Sequence, residues 1–200
     1  MSLTGRLHAS LVMDRRAAVL ARMVAERLPR GARVLDVGCG DGAVAAAVMR
    51  ARPDVRIEGV DVLLRPSSAI PVSLFDGHAL PFADGAFDAA MIVDVLHHTD
   101  DPAELLAEAA RVAPQAVVLK DHTLNGFLAG PTLRFMDRVG NLRHGVRLPY
   151  NYWPRDRWRR AFAQLGLRVD EWTPRVPLYS PPASWLFGRS LHFVARLSRA

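Results

Sequence analysis

Short apolar runs recur along the first 120 residues, and amphipathic stretches separate them. Each run has the length and the β-branched content typical of a buried strand. The five runs are Val34–Val37, Val55–Val60, Val72–Phe75, Phe87–Val93 and Ala116–Leu119. Helices are predicted over Ala43–Arg52 and Pro102–Val112, the second with Asp100 or Asp101 available as its cap. This alternation predicts a parallel sheet with right-handed crossovers.

Further helices and strands are predicted before the first strand and after residue 120, where strands and helices no longer alternate regularly. Residues 10–28 place apolar side chains at near-helical spacing, and Pro29 ends that run. Two later helices are predicted: Pro131–Val139, stopped by Gly140, and Pro154–Leu165, which ends at Gly166. Two later strands are predicted over Leu167–Thr173 and Leu191–Leu197. Because a proline-rich stretch separates the two late strands, they are expected to form a closing antiparallel pair.

Composition limits the class of protein. A chain of 200 residues, half of them hydrophobic and 23% charged, is expected to form one globular domain over residues 1–200. No apolar run reaches the roughly 18 residues that a membrane span needs, and Met1–Arg16 lacks a secretory signal pattern. The only cysteine is Cys39, so an intramolecular disulfide is excluded, and a reducing, cytoplasmic location is expected.

The net charge of +6 is unevenly distributed. Residues 1–133 hold 13 basic and 16 acidic side chains, whereas residues 134–200 hold 13 basic and 4 acidic ones. A basic C-terminal third is compatible with nucleic-acid binding. Of the 26 basic residues, however, 25 are arginine, and this bias indicates ordinary solvated arginines rather than a nucleic-acid surface.

The segment VLDVGCGDGAVA, Val34–Ala45, joins a strand directly to a helix through three alternating glycines. Glycines at such a turn let the backbone bend sharply and let a ligand approach it closely. Gly38, Gly40 and Ala43 satisfy the dinucleotide pattern, in which backbone amides meet a pyrophosphate. Asp36 and Asp41 would repel that pyrophosphate, so the turn favours a ligand that is positively charged nearby.

Four segments together resemble the class I S-adenosylmethionine-dependent methyltransferases, and in particular the group called methyltransferase type 11. VLDVGCGDG resembles their first motif, and IEGVD, residues 57–61, resembles the second strand with its terminal acid. FDGHALPFADGAFDAAMIVDVLHH, residues 75–98, and WRRAFAQLGLRV, residues 158–169, follow in the same order. The resemblance implies a Rossmann-like, doubly wound α/β fold: a mostly parallel seven-stranded sheet with helices on both faces and an antiparallel final strand. It also implies S-adenosylmethionine as cofactor.

The resemblance further implies roles for individual residues. Asp61 would accept hydrogen bonds from a ribose diol, and Asp36 would orient the ammonium group. Asp76 would accept from the adenine amino group, although an ordinary Asp-Gly turn explains that residue as well. Asp94 would lie near the cofactor sulfur. The expected cofactor-binding set is Asp36, Gly38, Cys39, Gly40, Asp41, Asp61, Val62, Asp76, Gly77, His78, Asp94 and Val95.

This chain departs from the family between the second and third strands. Only ten residues separate Asp61 from Val72, and they include Pro66 and Pro71. The family usually has a helix there, whereas this segment accommodates barely one turn. A shallow adenine pocket is therefore expected.

Polar residues follow the fourth and fifth strands, on the side of the sheet where ligands bind. Methyl transfer from a sulfonium is an in-line displacement, to which a protein contributes alignment and sometimes a base. His98 and His122 are the two candidate bases, although either histidine is also explained by packing or capping. The residues expected to contact the acceptor are His97, Asp121, Asn125, Tyr150 and Tyr152. No spacing fits a zinc site, so no metal is expected.

Two segments are expected to enclose the site. Residues 121–153 have no equivalent in the minimal methyltransferase fold, and they are predicted to form a substrate lid. A dimer contact and plain packing are the alternatives. Residues 1–29 predict an N-terminal helical cap, in which Arg15 or Arg16 would reach the cofactor carboxylate.

The expected function is methyl transfer to a small-molecule O, N or C acceptor, with no membrane partner and nucleic acid not favoured. Three alternatives remain at this point: an RNA or other nucleic-acid methyltransferase, a non-catalytic cofactor-binding protein, and a nicotinamide-dependent oxidoreductase. Asp36 and Asp41 disfavour the oxidoreductase, and DVLH stands where methyltransferases acting on base amino groups carry a tetrapeptide like N-P-P-Y.

Overall fold

Within residues 15–141 and 148–200, which the computed structural model describes, seven strands form one sheet. The strands are β1 (Arg33–Val37), β2 (Arg56–Asp61), β3 (Val72–Leu74), β4 (Ala89–Val93), β5 (Ala116–His122), β6 (Leu167–Thr173) and β7 (His192–Arg199). Their order across the sheet is β3-β2-β1-β4-β5-β7-β6. Strands β1 to β5 pair in parallel, and β7 runs antiparallel to both β5 and β6. The predicted fold class is confirmed.

Helices cover both faces of the sheet. They are α1 (residues 15–25), α2 (Ala43–Ala51), α3 (Pro102–Val112), α4 (Ala129–Asn141), α5 (Arg155–Gln164) and α6 (Ala183–Phe187), with a 3₁₀ turn over Leu96–His98. On one face α1 and α2 bury Leu20, Val24 and Val48 in the same cluster as strand residues of β1, β4 and β5. On the other face, the buried cluster includes Leu106 of α3 and Trp158 of α5. Asp101 caps α3 by accepting from the amide of Ala103, as predicted.

Strand β5 is longer than its apolar run predicted. The sequence placed Lys120, Asp121 and His122 beyond the strand, but all three lie within it and are buried. The antiparallel partner β7 explains the difference, because its residues pair with β5 as far as His122, which lies opposite His192. The predicted lid segment 121–153 therefore begins inside the sheet.

The helices also differ from the sequence predictions in several places. Helix α4 starts at Ala129 and continues through Gly140, which was predicted to stop it. A glycine ends a helix when it adopts a left-handed conformation, and Gly140 does not. Helix α6 was not predicted, because five residues are too few to show helical periodicity. Of the predicted helix over residues 10–28, residues 10–14 lie outside the described residues and residues 15–25 are helical.

The sheet positions the candidate site. Strands β1, β2, β4 and β5 are parallel, so their C-terminal ends meet at one edge, which is where ligands bind in open α/β sheets. The described helices include none that is both long and apolar enough to cross a bilayer.

Candidate functional site

The glycine turn after β1 combines one crowded glycine with one open glycine. Gly38 and Gly40 have φ angles of 72° and 60°, a region that favours glycine. A Cβ atom on Gly38 would lie 2.5 Å from Cγ2 of Val95, so this glycine allows the turn to pack against the segment after β4. A Cβ atom on Gly40 would meet no heavy atom within 4 Å. The backbone at Gly40 is therefore clear for the close approach of a ligand.

Asp61, at the end of β2, holds this turn in place. Its Oδ2 accepts a hydrogen bond from the amide of Gly40 at 2.8 Å, and its Oδ1 accepts from the amide of Leu63 at 2.9 Å. Asp36 is buried on β1, and burial together with the charge of Asp61 raises its pKa to about 7. A buried carboxylate whose ionisation is disfavoured is stabilised in its charged form by a nearby cation. The turn thus has the electrostatics predicted for a positively charged ligand.

The segment with Asp76, which was predicted to contact the adenine, forms the ordinary Asp-Gly turn that was the alternative explanation for this residue. Oδ1 of Asp76 accepts from the amides of His78 and Ala79 at 2.8 and 2.9 Å. Gly77 lies beside the exposed Val62, since a Cβ atom on Gly77 would be 3.2 Å from Cγ1 of Val62. No helix is present between β2 and β3, both fully described, as the short spacing predicted. The adenine role of Asp76 stays a prediction.

Two other residues of the turn have local roles. Cys39 is half-buried, and burial and the charge of Asp36 raise the pKa of its thiol, so it is not a reactive nucleophile. Asp41 is exposed, and its Oδ1 accepts from the amide of Ala43 at 3.1 Å, at the first turn of α2. Both lie at the edge where the ligand is expected, without evident chemistry of their own.

Asp94 follows β4 with a φ angle of 59° and is paired with two cations. Its carboxylate bonds to the guanidinium of Arg16 on α1 and to the ammonium of Lys120, which is fully buried on β5. Although burial alone would raise it, Lys120 and Arg16 hold the pKa of Asp94 well below its usual range. Arg16 is therefore engaged by Asp94, whereas the sequence placed it or Arg15 at the cofactor carboxylate.

A cluster of histidines lies beside Asp94. Nδ1 of His97 is 2.7 Å from Oδ1 of Asp121, and the His97 ring centroid is 4.5 Å from that of His122. His122 in turn lies 4.8 Å, centroid to centroid, from His192. His97 is only 1% exposed, so this arrangement fits a residue that holds the cluster together better than one that touches the acceptor. Asp121 is fully buried in the same way.

The histidines of the cluster have divergent pKa values. Burial opposes protonation of His97, yet the Asp121 carboxylate raises its pKa to about 9. Burial and the charges of Lys120 and His97 lower the pKa of His122 to about 4. Burial and the neighbouring His97 also lower the pKa of His98. At neutral pH, His97 is thus the charged ring, and His98 and His122 are neutral.

Asp137 connects the cluster to α4. Its Oδ1 lies 3.5 Å from Nε2 of His98 and 3.7 Å from Nε2 of His97, while its Oδ2 accepts from the hydroxyl of Tyr152 at 2.8 Å. Nδ1 of His98 is buried and has no hydrogen-bond partner among the described residues. A buried polar atom of this kind is the position that a bound polar group satisfies.

The remaining predicted acceptor contacts separate into two places. Asn125 accepts from the amide of Arg155 at 3.2 Å and so supports the start of α5. Tyr150 and Tyr152 line a cavity of about 460 Å³. The other residues lining the cavity are Leu124, Gly130, Pro131 and Arg134. The sequence missed His192 and Asp137, because only the pairing of β5 with β7 and the packing of α4 bring them to the cluster.

The fold also assembles donor groups that linear spacing did not reveal. Ligand atoms of His97, Asp121 and His122, and of His97, His98 and Asp137, lie within 4.8 Å of one another in each set. Within the first set, Nδ1 of His97 lies 2.7 Å from Oδ1 of Asp121, at hydrogen-bond distance, and the expectation of no metal stays a prediction.

Comparisons with known proteins agree with this geometry. A family model described as a methyltransferase domain matches residues 11–171. The O-methyltransferase rstn1 of Aspergillus nomiae is 38% identical over 108 residues, covering 46% of this chain and 48% of that protein. An uncharacterized methyltransferase of Mycobacterium sp. (strain JLS) is 34% identical over 129 residues, covering 60% and 50%. The chain thus spans about half the length of these two relatives.

Solved structures share the fold. The geranyl diphosphate C-methyltransferase of Streptomyces coelicolor, crystallised with Mg²⁺, geranyl diphosphate and S-adenosyl-L-homocysteine, superposes with a TM-score of 0.66. It is 16% identical, and the alignment covers 90% of this chain and 78% of that one. At this identity the likeness concerns the architecture alone.

Proposed function

The chain belongs to the family of class I S-adenosylmethionine-dependent methyltransferases, and we propose that it methylates an oxygen, nitrogen or carbon atom of a small molecule. One juxtaposition supports this function above all. The acidic glycine turn and the histidine cluster lie at the same edge of the sheet, because Val95 packs on Gly38 and the 3₁₀ turn with His97 and His98 follows directly.

The turn fits the cofactor in charge and in space. Gly40 leaves its backbone clear, and Asp36 and Asp61 supply the negative charge that an ammonium and a sulfonium require. Asp61 would hold the ribose while it fixes the amide of Gly40, and Val62 and Gly77 would flank the adenine. When bound, S-adenosylmethionine supplies an electrophilic methyl group. The protein supplies the alignment, which is worth several kcal/mol, on the order of 10²-fold or more in rate.

His98 is the better of the two candidate bases. A base works best when its pKa lies near the working pH, and the pKa of His122, at about 4, is far below it. His98 is neutral as well, and its Nδ1 has no hydrogen-bond partner among the described residues, so it could take the proton of an acceptor hydroxyl or amine that reaches it. His97, locked between Asp121 and Asp137, would position His98 rather than touch the acceptor.

The cavity between α4 and the tyrosines is the proposed acceptor site. Tyr150 and Tyr152 offer aromatic faces, and the guanidinium of Arg134 lies 5.7 Å from the Tyr150 ring centroid. These groups suit a compact, partly aromatic acceptor. Helix α4, which carries Asp137 to the histidines, would then form part of the predicted lid 121–153, of which residues 142–147 lie outside the described residues.

A screen with isotopically labelled cofactor tests this function. The full chain is incubated with methyl-labelled S-adenosylmethionine and panels of small phenols, amines and hydroxy acids, with tRNA and DNA in parallel. Label in a small acceptor supports the proposal. Label in nucleic acid alone would instead assign the substrate to the basic C-terminal third. Binding of S-adenosylhomocysteine without any transfer to an adequate panel would favour a non-catalytic protein.

A further inference from the structure

An apolar surface lies outside the site described above. Phe127 is 83% exposed and Trp185 is 75% exposed, which is unusual for such large side chains. Leu128, Phe135 and Leu186 are each more than half exposed. We name these five residues the α4–α6 surface, after the helices that carry or adjoin them.

Direct contacts make this surface continuous. The rings of Phe135 on α4 and Phe187 on α6 stack with centroids 6.3 Å apart. Arg189 joins the same two regions, because its guanidinium donates to the carbonyl oxygen of Phe127 at 3.2 Å and to Oγ1 of Thr132 at 3.1 Å. Contiguous exposed apolar side chains of this size typically mark an interaction site.

The exposed charged side chains on the segments that form this surface are all positive. Residues 123–141 and 172–190 contain four arginines, Arg134, Arg138, Arg175 and Arg189, and one acid, Asp137. Asp137 is only 8% exposed and is turned toward the histidines. The exposed face of α4 carries Arg134 and Arg138 next to Phe135 and Val139, so apolar and cationic groups share one face.

We propose that the α4–α6 surface docks the protein peripherally on an anionic lipid bilayer. Tryptophan, phenylalanine and leucine insert at the headgroup boundary, and arginines pair with anionic headgroups. A second copy of this chain fits poorly, because it would face arginines with arginines, and residues 123–141 and 172–190 hold no exposed acid to pair with them. Docking would also bring the cavity lined by Leu124 and Arg134 next to the bilayer.

Vesicle binding of the full chain tests this proposal without relying on methyl transfer. We expect co-sedimentation with vesicles of phosphatidylglycerol and phosphatidylcholine, weaker binding at high salt, and none with phosphatidylcholine alone. Of the four tryptophans, Trp153 and Trp158 are buried, Trp172 is half-buried and Trp185 is exposed. Binding should therefore shift tryptophan emission to the blue, and Trp185→Tyr should remove that shift.

Paired variants locate the binding surface. Phe127→Ser combined with Trp185→Ser should weaken vesicle binding about 10-fold or more. Leu74→Ser, on edge strand β3 and 60% exposed, is the matched control and should bind like the wild type. The proposal fails if the wild type ignores anionic vesicles, or if the double variant binds them as well as Leu74→Ser does. It also fails if the wild type dimerises in solution and the double variant is monomeric, because the surface would then be a self-interface.

Discussion

His97 donates a hydrogen bond from Nδ1 to the carboxylate of Asp121 at 2.7 Å, although 24 positions separate the two residues. Asp121 also accepts from the backbone amides of Leu96 and His122, at 3.0 and 2.6 Å. This carboxylate therefore fixes the 3₁₀ turn after β4 against the end of β5. The pair is buried, and its protonation contributes to the stability of the fold.

The first prediction concerns stability at alkaline pH. Because the folded-state pKa of His97, about 9, exceeds the unfolded value of 6.5, its contribution is complete below pH 6.5 and is lost as pH rises through 9. The free energy of unfolding, measured by denaturant titration, should fall across this window by roughly 1–3 kcal/mol. His97→Gln should lose that slope, whereas His78→Gln, on an exposed histidine, should keep it. Equal slopes in His97→Gln and wild type would contradict the assignment.

The second prediction concerns Asp36. Its folded-state pKa is raised from 3.8 to about 7, so its ionisation costs stability as pH rises through that range. Asp36→Asn should stabilise the ligand-free protein at pH 8 by up to about 4 kcal/mol, with little gain at pH 4. It should also weaken S-adenosylhomocysteine binding in calorimetry, because the carboxylate proposed to face the cofactor ammonium is lost. Asp41→Asn, at an exposed acid of the same turn, should give no stability gain.

The third prediction separates backbone strain from ligand contact. Gly40 and Gly31 have φ angles of 60° and 65°, and a Cβ atom on either would meet nothing within 4 Å. Gly40→Val and Gly31→Val should therefore destabilise the protein to a similar extent. Only Gly40→Val should abolish S-adenosylhomocysteine binding, because the branched side chain would fill the space proposed for the ligand. Normal affinity in Gly40→Val, or equal losses in both variants, would place the cofactor elsewhere.

The fourth prediction concerns the link between α4 and the histidines. The charge of Asp137 raises the pKa of His98, in opposition to burial. Asp137→Asn should therefore move the acidic limb of the pH–kcat/KM profile to lower pH, and turnover should fall. Asp156→Asn, at an exposed acid of α5, should leave the profile unchanged. A profile that does not move would mean that Asp137 serves only to hold Tyr152.

The glycine turn and the alternation of strands and helices through residue 120 were predictable because their signals are local. Gly38 to Gly42 follow an apolar run directly, and Asp36 and Asp61 lie at positions that the family motif marks. The C-terminal end of β5 was not predictable in this way. Lys120, Asp121 and His122 are polar, and only their antiparallel pairing with β7 explains why they are buried within a strand.

The histidine cluster shows a second limit of sequence reasoning. His97, His98 and His122 were recognised as polar groups at strand ends, but their division into one charged and two neutral rings depends on burial and on Asp121, Lys120 and Asp137. The contacts of His97 and His98 with Asp121 and Asp137 span 24 to 40 positions in the sequence. A periodicity pattern carries no information about them.

Turnover of His98→Gln decides whether this histidine takes the proton of the methyl acceptor. Once the labelled screen has provided an acceptor, methyl transfer and S-adenosylhomocysteine affinity are measured for the wild type and for His98→Gln, with His122→Gln beside them. Because His98 is proposed to take the acceptor proton, its variant should lose about 100-fold or more in kcat with unchanged cofactor affinity. His122→Gln should lose less. A near-normal rate for His98→Gln would contradict the account, since transfer would then proceed without this base.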